Sequence, residues 1–245
     1  MPPKPNPNAG HRQRLRERFA GGGAEAVADY ELLELILFNA IPVRDVKPLA
    51  KRLIGERGSL AGVLSAPPDA IIEAVEGPPA KGEDQRDKPR RPKPQTLNVV
   101  HQLSLVRAAA LHLTRAQVMG RPALSSWSDL LAYCRSAMSH ETTEQFRVLY
   151  LDTKNQLIAD EVLARGTIDH VPVYVREVVK RGLSRDAKSL ILVHNHPSGD
   201  PTPSKADIAV TQQVVAAART VDLGVHDHVI VGRGRETSLR SLGLM

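Results

Sequence analysis

The chain has 245 residues, 42% of them hydrophobic but only 3% aromatic, so it can bury a core and that core must be mainly aliphatic. Its 33 Lys and Arg against 27 Asp and Glu give a formal charge of +6, which raises nucleic acid or another polyanion as a partner. The single cysteine, Cys134, excludes a disulfide framework and any multi-cysteine zinc site and suits a reducing, cytoplasmic compartment, while the lack of any run of about 18 apolar residues predicts no membrane span.

The chain opens on Met1-Pro-Pro-Lys-Pro-Asn-Pro, which has no apolar segment of the secretory kind and reads as a disordered tail over residues 1–10. His11 to Phe19 predicts a short basic helix: Arg12, Arg14, Arg16 and Arg18 spread around it, and Leu15 and Phe19 share a face. Tyr30 to Phe38 is a strongly apolar helix that Pro42 ends or follows, and a third helix runs from about Val46 to Ile54, with Gly58 beyond it. Short helical pieces around Pro67-Pro68 complete a small all-helical domain over 11–78. Residues 79–97 have almost no apolar side chains. Six cations lie between Lys81 and Lys93 against three anions, so the segment predicts a charged, Pro-rich linker or insert. A connecting helix is expected within 98–122, from Asn98 to about Leu113.

From residue 123 to 245 the pattern alternates between states. Trp127 to Met138 reads as a helix capped by Ser125 or Ser126, with Cys134 buried among apolar neighbours. Phe146 to Leu151 is a strand, Asp152 to Asn155 its turn, and Gln156 to Leu163 the returning strand. A helix over Val173 to Gly182, a strand over Ser189 to Val193, a long helix from Ser204 to about Thr220 and a last strand over Val225 to Gly232 follow. The fold class expected is α/β (α+β).

The stretch HNHPSGDPTPSKAD, His194 to Asp207, carries the chemistry. Residues i and i+2 of a strand face the same side, so His194 and His196 point one way at the strand's end. Pro197, Gly199 and Pro201 turn the chain back, and the helix that opens at Ser204 offers Asp207 as a third, oxygen ligand. Two imidazoles and a carboxylate leave room for a water, which is an open, catalytic kind of zinc site. Ser204-x-x-Asp207 also has the spacing of a helix-capping box. The second H-x-H, His226-Asp-His228, has no following acid to complete a site and reads as core or surface histidine.

His194-x-His196-Pro197 followed by Ser204-x-x-Asp207 resembles the JAMM (MPN-type) zinc metalloprotease motif. The surrounding text, LDTKNQLI, ARGTID and VHNHPSGDPTPSKADIAVT, with GHRQRLRERF, DYELLELILF and VKPLAKRLI upstream, is similar to the bacterial RadC family, over most of the chain. The resemblance implies a three-layer MPN/JAMM-like (cytidine-deaminase-like) domain behind a helix-hairpin-helix-like one. It implies a catalytic Zn2+ held by His194, His196 and Asp207, a glutamate that activates water, and Ser204 near the developing oxyanion. In the family the glutamate sits where an early helix passes into the first strand. The matching position is Glu144, with Glu161 on the returning strand as its rival and Glu177 on the next helix as a weaker one.

Three functions follow as expectations: a zinc metallohydrolase acting on a protein or peptide substrate, a DNA repair or recombination factor whose zinc domain is a recognition module, and a zinc-dependent nuclease. DNA contact would run through the basic N-terminal half. The family's hairpin presents backbone N–H groups to phosphates. Here its expected second glycine is missing, and Pro78-Pro79 after Gly77 removes donors, which argues against that grip. Nothing in the sequence specifies an oligomeric state.

Overall fold

The structure, a computed structural model, describes residues 10–77, 91–123, 125–166 and 173–245. Nearly all of the expected tail, the prolines after Gly77 and most of the charged insert lie outside the described residues. The chain divides into two compact units, Met1–Ala108 and Ala109–Met245.

The first unit is helical: α1 (His11–Gly22), a short 3-10 turn, α2 (Asp29–Ala40), α3 (Lys47–Arg57), α4 (Leu60–Leu64), α5 (Pro68–Glu76) and the first part of α6 (Pro94–Val118). Helix starts carry local signals. Ser59 caps α4 by accepting from the Gly62 N–H, and α3 and α5 each hold a proline in their first turn. Leu15, Leu33, Leu37, Leu53, Val63 and Val99 form the core. Arginines on α1 serve this unit internally. Arg12 donates to the carbonyls of Ile41 and Arg44, each at 2.6 Å, and lies over the Phe38 ring, while Arg18 pairs with Glu31. Helix α6 is longer than the expected Asn98–Leu113, because Pro94, with its preset φ, is well suited to a first turn.

The second unit is an α+β domain around a five-stranded mixed sheet of order β2-β1-β3-β4-β5. The strands are β1 (Gln145–Leu151), β2 (Leu157–Arg165), β3 (Ser189–Asn195), β4 (Gly224–Val231) and β5 (Glu236–Ser238). Only the β3–β4 pair is parallel. Helix α7 (Trp127–Met138) packs its Leu130, Cys134 and Met138 on one sheet face, against Leu149, Leu151, Ile191, Val193 and Val231. Helices α8 (Val175–Ser184) and α9 (Lys205–Arg219) cover the other face through Val178, Val214 and Ala218, against Val148, Tyr150, Leu190 and Leu192. Strand β3 is central and covered on both faces, which is why Leu190-Ile191-Leu192-Val193 is a continuous apolar run rather than an alternating one. Strand β5 was not anticipated; three residues carry too little periodicity to read. The expected serine cap of α7 also differs: Ser126 is the N-cap residue, but its hydroxyl donates to the Pro122 carbonyl at 2.9 Å instead of accepting from the helix. Among the described residues, no helix is long and apolar enough to cross a membrane.

Candidate metal centre

Strand β3 delivers His194 buried at its end, and His196 follows one residue beyond the strand, half-buried. The turn after it is held tightly. Gly199 takes φ +90°, a conformation side chains disfavour, and a Cβ on Gly232 of the adjoining segment would fall 2.4 Å from the Gly199 carbonyl oxygen. That close approach lets the chain fold back so that α9 begins beside the two histidines. Ser204 and Asp207 then form a reciprocal cap: Ser204 Oγ accepts from the Asp207 N–H at 3.1 Å, and Asp207 Oδ2 accepts from the Ser204 N–H at 2.7 Å. The cap fixes the carboxylate beside the histidines: Oδ1, which the cap does not use, lies toward His194, and Oδ2, which it does, lies toward His196.

The result is a three-sided cluster. His194 Nε2 and His196 Nε2 lie 3.0 Å apart, His194 Nε2 and Asp207 Oδ1 3.2 Å, and His196 Nε2 and Asp207 Oδ2 3.5 Å. Ligands at about 2.0–2.1 Å from a tetrahedral zinc stand about 3.3 Å from one another, and each of these contacts, which reach different oxygens of one carboxylate, lies near that spacing. Among the described residues these three are the one group of three or more His, Cys, Asp or Glu side chains arranged to hold a metal. The charge balance agrees. His196 is held above its ordinary pKa, chiefly by its hydrogen bond with Asp207 and against the effect of burial. For Asp207, burial pushes the carboxyl up, but the histidine contacts outweigh it and hold the group well below the usual carboxylate range. The cluster is electron-rich and favours a positive charge at its centre.

Glu144 immediately precedes β1, with its carbonyl accepting from the Gly166 N–H at 2.8 Å, and its negative charge contributes to the raised pKa of His196. Its two rivals are engaged elsewhere: Glu161 on β2 is ion-paired to Arg185, and Glu177 in the first turn of α8 lies 3.7 Å from its neighbour Arg176. Cys134 is buried in α7, where desolvation pushes its thiol up to about 12, far from nucleophilic.

Two residues with a bearing on the site, Asn195 and Thr211, were not singled out in the sequence, and a third, His228, was read there only as core or surface histidine. Asn195, between the two histidines, points to the opposite side of the strand. Its Oδ1 accepts from the Gln145 N–H at 2.9 Å and its Nδ2 donates to the Thr143 carbonyl at 3.1 Å, so one buried carboxamide clamps the backbone on both sides of Glu144. Strand alternation alone implies that the middle residue of H-x-H looks away from the two histidines; what it meets there depends on β1. His228 is fully buried, as a core histidine would be, and its Nε2 lies 2.8 Å from His194 Nδ1; Thr211 of α9 is its other neighbour. The remaining members of the second H-x-H have other tasks. His226 bonds Asn155 in the β1–β2 turn, and Asp227 accepts from Ser238 and from the Arg240 N–H, pinning the chain after β5.

Comparison with known proteins agrees with this architecture. Residues 124–244 match the RadC-like JAB domain. The chain is 58% identical over 231 residues to a UPF0758 protein of Rhodobacter capsulatus, covering 94% of this chain and all of that one. It is 50% identical over 235 residues to a UPF0758 protein of Ruegeria pomeroyi, covering 96% and 97% of the two. With this identity along nearly the whole length, and a JAB domain laid over the sheet that carries the histidine cluster, the chain belongs to the RadC (UPF0758) family.

Proposed function

We propose that this protein is a zinc-dependent metallohydrolase of the JAMM type that cleaves peptide or isopeptide bonds. The observation that carries the proposal is the convergence of His194 Nε2, His196 Nε2 and the Asp207 carboxylate, with one ligand atom of each within 4.8 Å of the others, and with Glu144 close enough to act electrostatically on His196. A zinc ion held by these residues would polarise a carbonyl and bring the pKa of its water to about 7. Glu144 accepts the proton of the attacking water and passes it to the departing amine nitrogen. Ser204 uses a lone pair of its hydroxyl oxygen in the helix cap, which leaves the hydroxyl proton for the oxyanion of the tetrahedral intermediate. Asn195 holds the backbone on either side of Glu144 and so sets where the base stands.

Association with DNA through the basic N-terminal half has less support, because Arg12 and Arg18 of α1 are committed to carbonyls and to Glu31. The deciding experiment is elemental analysis of wild type beside His194→Ala. It is paired with product analysis on peptide and isopeptide libraries and on branched and single-stranded DNA, each with and without chelator. Stoichiometric zinc lost in the variant, with chelator-sensitive amide cleavage, is the expected result. Absence of zinc after purification without chelator, and no binding on titration, would overturn the proposal; cleavage of DNA alone would replace it with the nuclease.

A further inference from the structure

His228 lies behind the cluster rather than in it. In the parallel register of β3 and β4 it stands beside Leu192, which places it on the same sheet face as His194 and diagonal to it. It is fully buried, edge-on to the Phe146 ring, and its two ring nitrogens each have one polar neighbour: Nε2 is 2.8 Å from His194 Nδ1, and Nδ1 is 2.5 Å from Thr211 Oγ1. The Thr211 hydroxyl also reaches the main-chain carbonyl of Asp207, one helical turn earlier, at 2.5 Å.

Counting protons assigns every member of this chain. A carbonyl oxygen only accepts, so the single hydroxyl proton of Thr211 goes to Asp207. Thr211 Oγ1 must then accept, and His228 Nδ1 carries the proton it accepts. A fully buried imidazole with no carboxylate against its ring is neutral, so His228 Nε2 is a bare lone pair. His194 Nδ1 therefore donates to it, which leaves Nε2, aimed at His196 and Asp207, as the nitrogen a metal would take. His196 is turned the same way, since its Nδ1 donates to the Asp200 carbonyl at 2.7 Å and its Nε2 faces the cluster. We infer that His228 and Thr211 are positioning residues. They fix His194 in the tautomer that presents Nε2 to a metal, and they tie that choice to the backbone of Asp207, so that ligands from β3 and α9 are set together through β4. The inference rests on the reading of His194, His196 and Asp207 as metal ligands. It adds that the ligand set is prepared before the ion arrives.

The test uses the full chain in two measurements. In the metal-free, 15N-labelled protein, long-range proton–nitrogen spectra report the tautomer of each imidazole, with His194 and His228 assigned from variants at those positions. Both are expected protonated at Nδ1. Zinc affinity by competition with a chromophoric chelator is then compared among wild type, His228→Leu, His228→Gln, Thr211→Val and Thr211→Ser. Loss of the acceptor in His228→Leu is expected to weaken zinc about 10- to 100-fold, the usual scale for the groups behind metal ligands. His228→Gln places a carbonyl oxygen near the position of Nε2 and should recover most of the affinity. Thr211→Val should lose a smaller part and Thr211→Ser none. A His194 that carries no proton on Nδ1 in the metal-free protein overturns the inference, as does wild-type affinity in a folded His228→Leu. Should His228→Leu fail to fold, the tautomer and the Thr211 pair decide. Should wild type bind no zinc, the metal reading fails, while the tautomer measurement still decides the hydrogen-bond assignment.

Discussion

Replacing Asn195 tests whether the base is held by the strand that carries the ligands. Asn195→Ala removes the partners of the Gln145 N–H and the Thr143 carbonyl. Gln145 is 1% exposed, so its N–H is stranded away from water, at a cost of about 1–3 kcal/mol. Thr143 is half-buried and its carbonyl can turn to solvent, which costs little. Adding the small cavity left by the carboxamide gives a total of about 2–4 kcal/mol, a large fraction of the 5–15 kcal/mol typical of a domain. Asn195→Asp separates the two bonds: Oδ1 still accepts from Gln145, but Oδ2 then meets the Thr143 carbonyl, acceptor against acceptor. That variant should be rescued by acid, because a protonated carboxyl donates where the amide did. The assays are denaturant melts of both variants and zinc titration beside hydrolysis. The expected result is lost stability and lost hydrolysis with zinc affinity within a few-fold of wild type, since neither ligand side chain is touched. If Asn195→Ala unfolds at the wild-type denaturant concentration and turns over at the wild-type rate, the clamp does not position Glu144.

Glu144→Gln keeps shape but removes the proton acceptor, so it should retain zinc while losing hydrolysis by about 10²-fold or more; an active Glu144→Gln beside a dead Glu161→Gln would move the base to β2. Asp207→Asn should lose zinc first and activity as a consequence, which elemental analysis separates from a purely catalytic defect. The raised pKa of His196 means that the metal-free protein binds a proton there at pH values above 6.5. Zinc must displace that proton, so affinity should fall as pH drops through this range and binding should release protons; titration in buffers of different ionisation enthalpy measures this, and a flat profile refutes it. The same shift, with the folded pKa above the unfolded one, stabilises the metal-free fold below about pH 6.5, and that stability is lost as pH rises through the folded value. DNA binding, if it occurs through charge, should weaken steeply with salt, and removal of Lys81 to Lys93 should weaken it further; unchanged binding would leave that insert a spacer.

Local geometry made the His194, His196 and Asp207 cluster legible. Alternation along a strand puts His194 and His196 on one side, and Ser204-x-x-Asp207 is a one-turn helical spacing, so both patterns hold whatever the rest of the chain does. The helices and long strands were legible for the same reason, since their periods are written within a dozen residues, whereas the three residues of β5 gave no period and α6 ran past its expected ends. The partners of those side chains were decided only in three dimensions. Asn195 meets Gln145 across 50 residues and His194 meets His228 across 34, through an antiparallel pairing with β1 and a parallel one with β4. A histidine on its own strand reads only as buried or exposed. Which nitrogen it protonates, and therefore whether the next histidine offers a lone pair or a proton, is settled by the strand and the helix that pack beside it. A residue's face is set by the torsions of its own strand, but its hydrogen-bond partner is set by chain closure over tens of residues, which no short window contains.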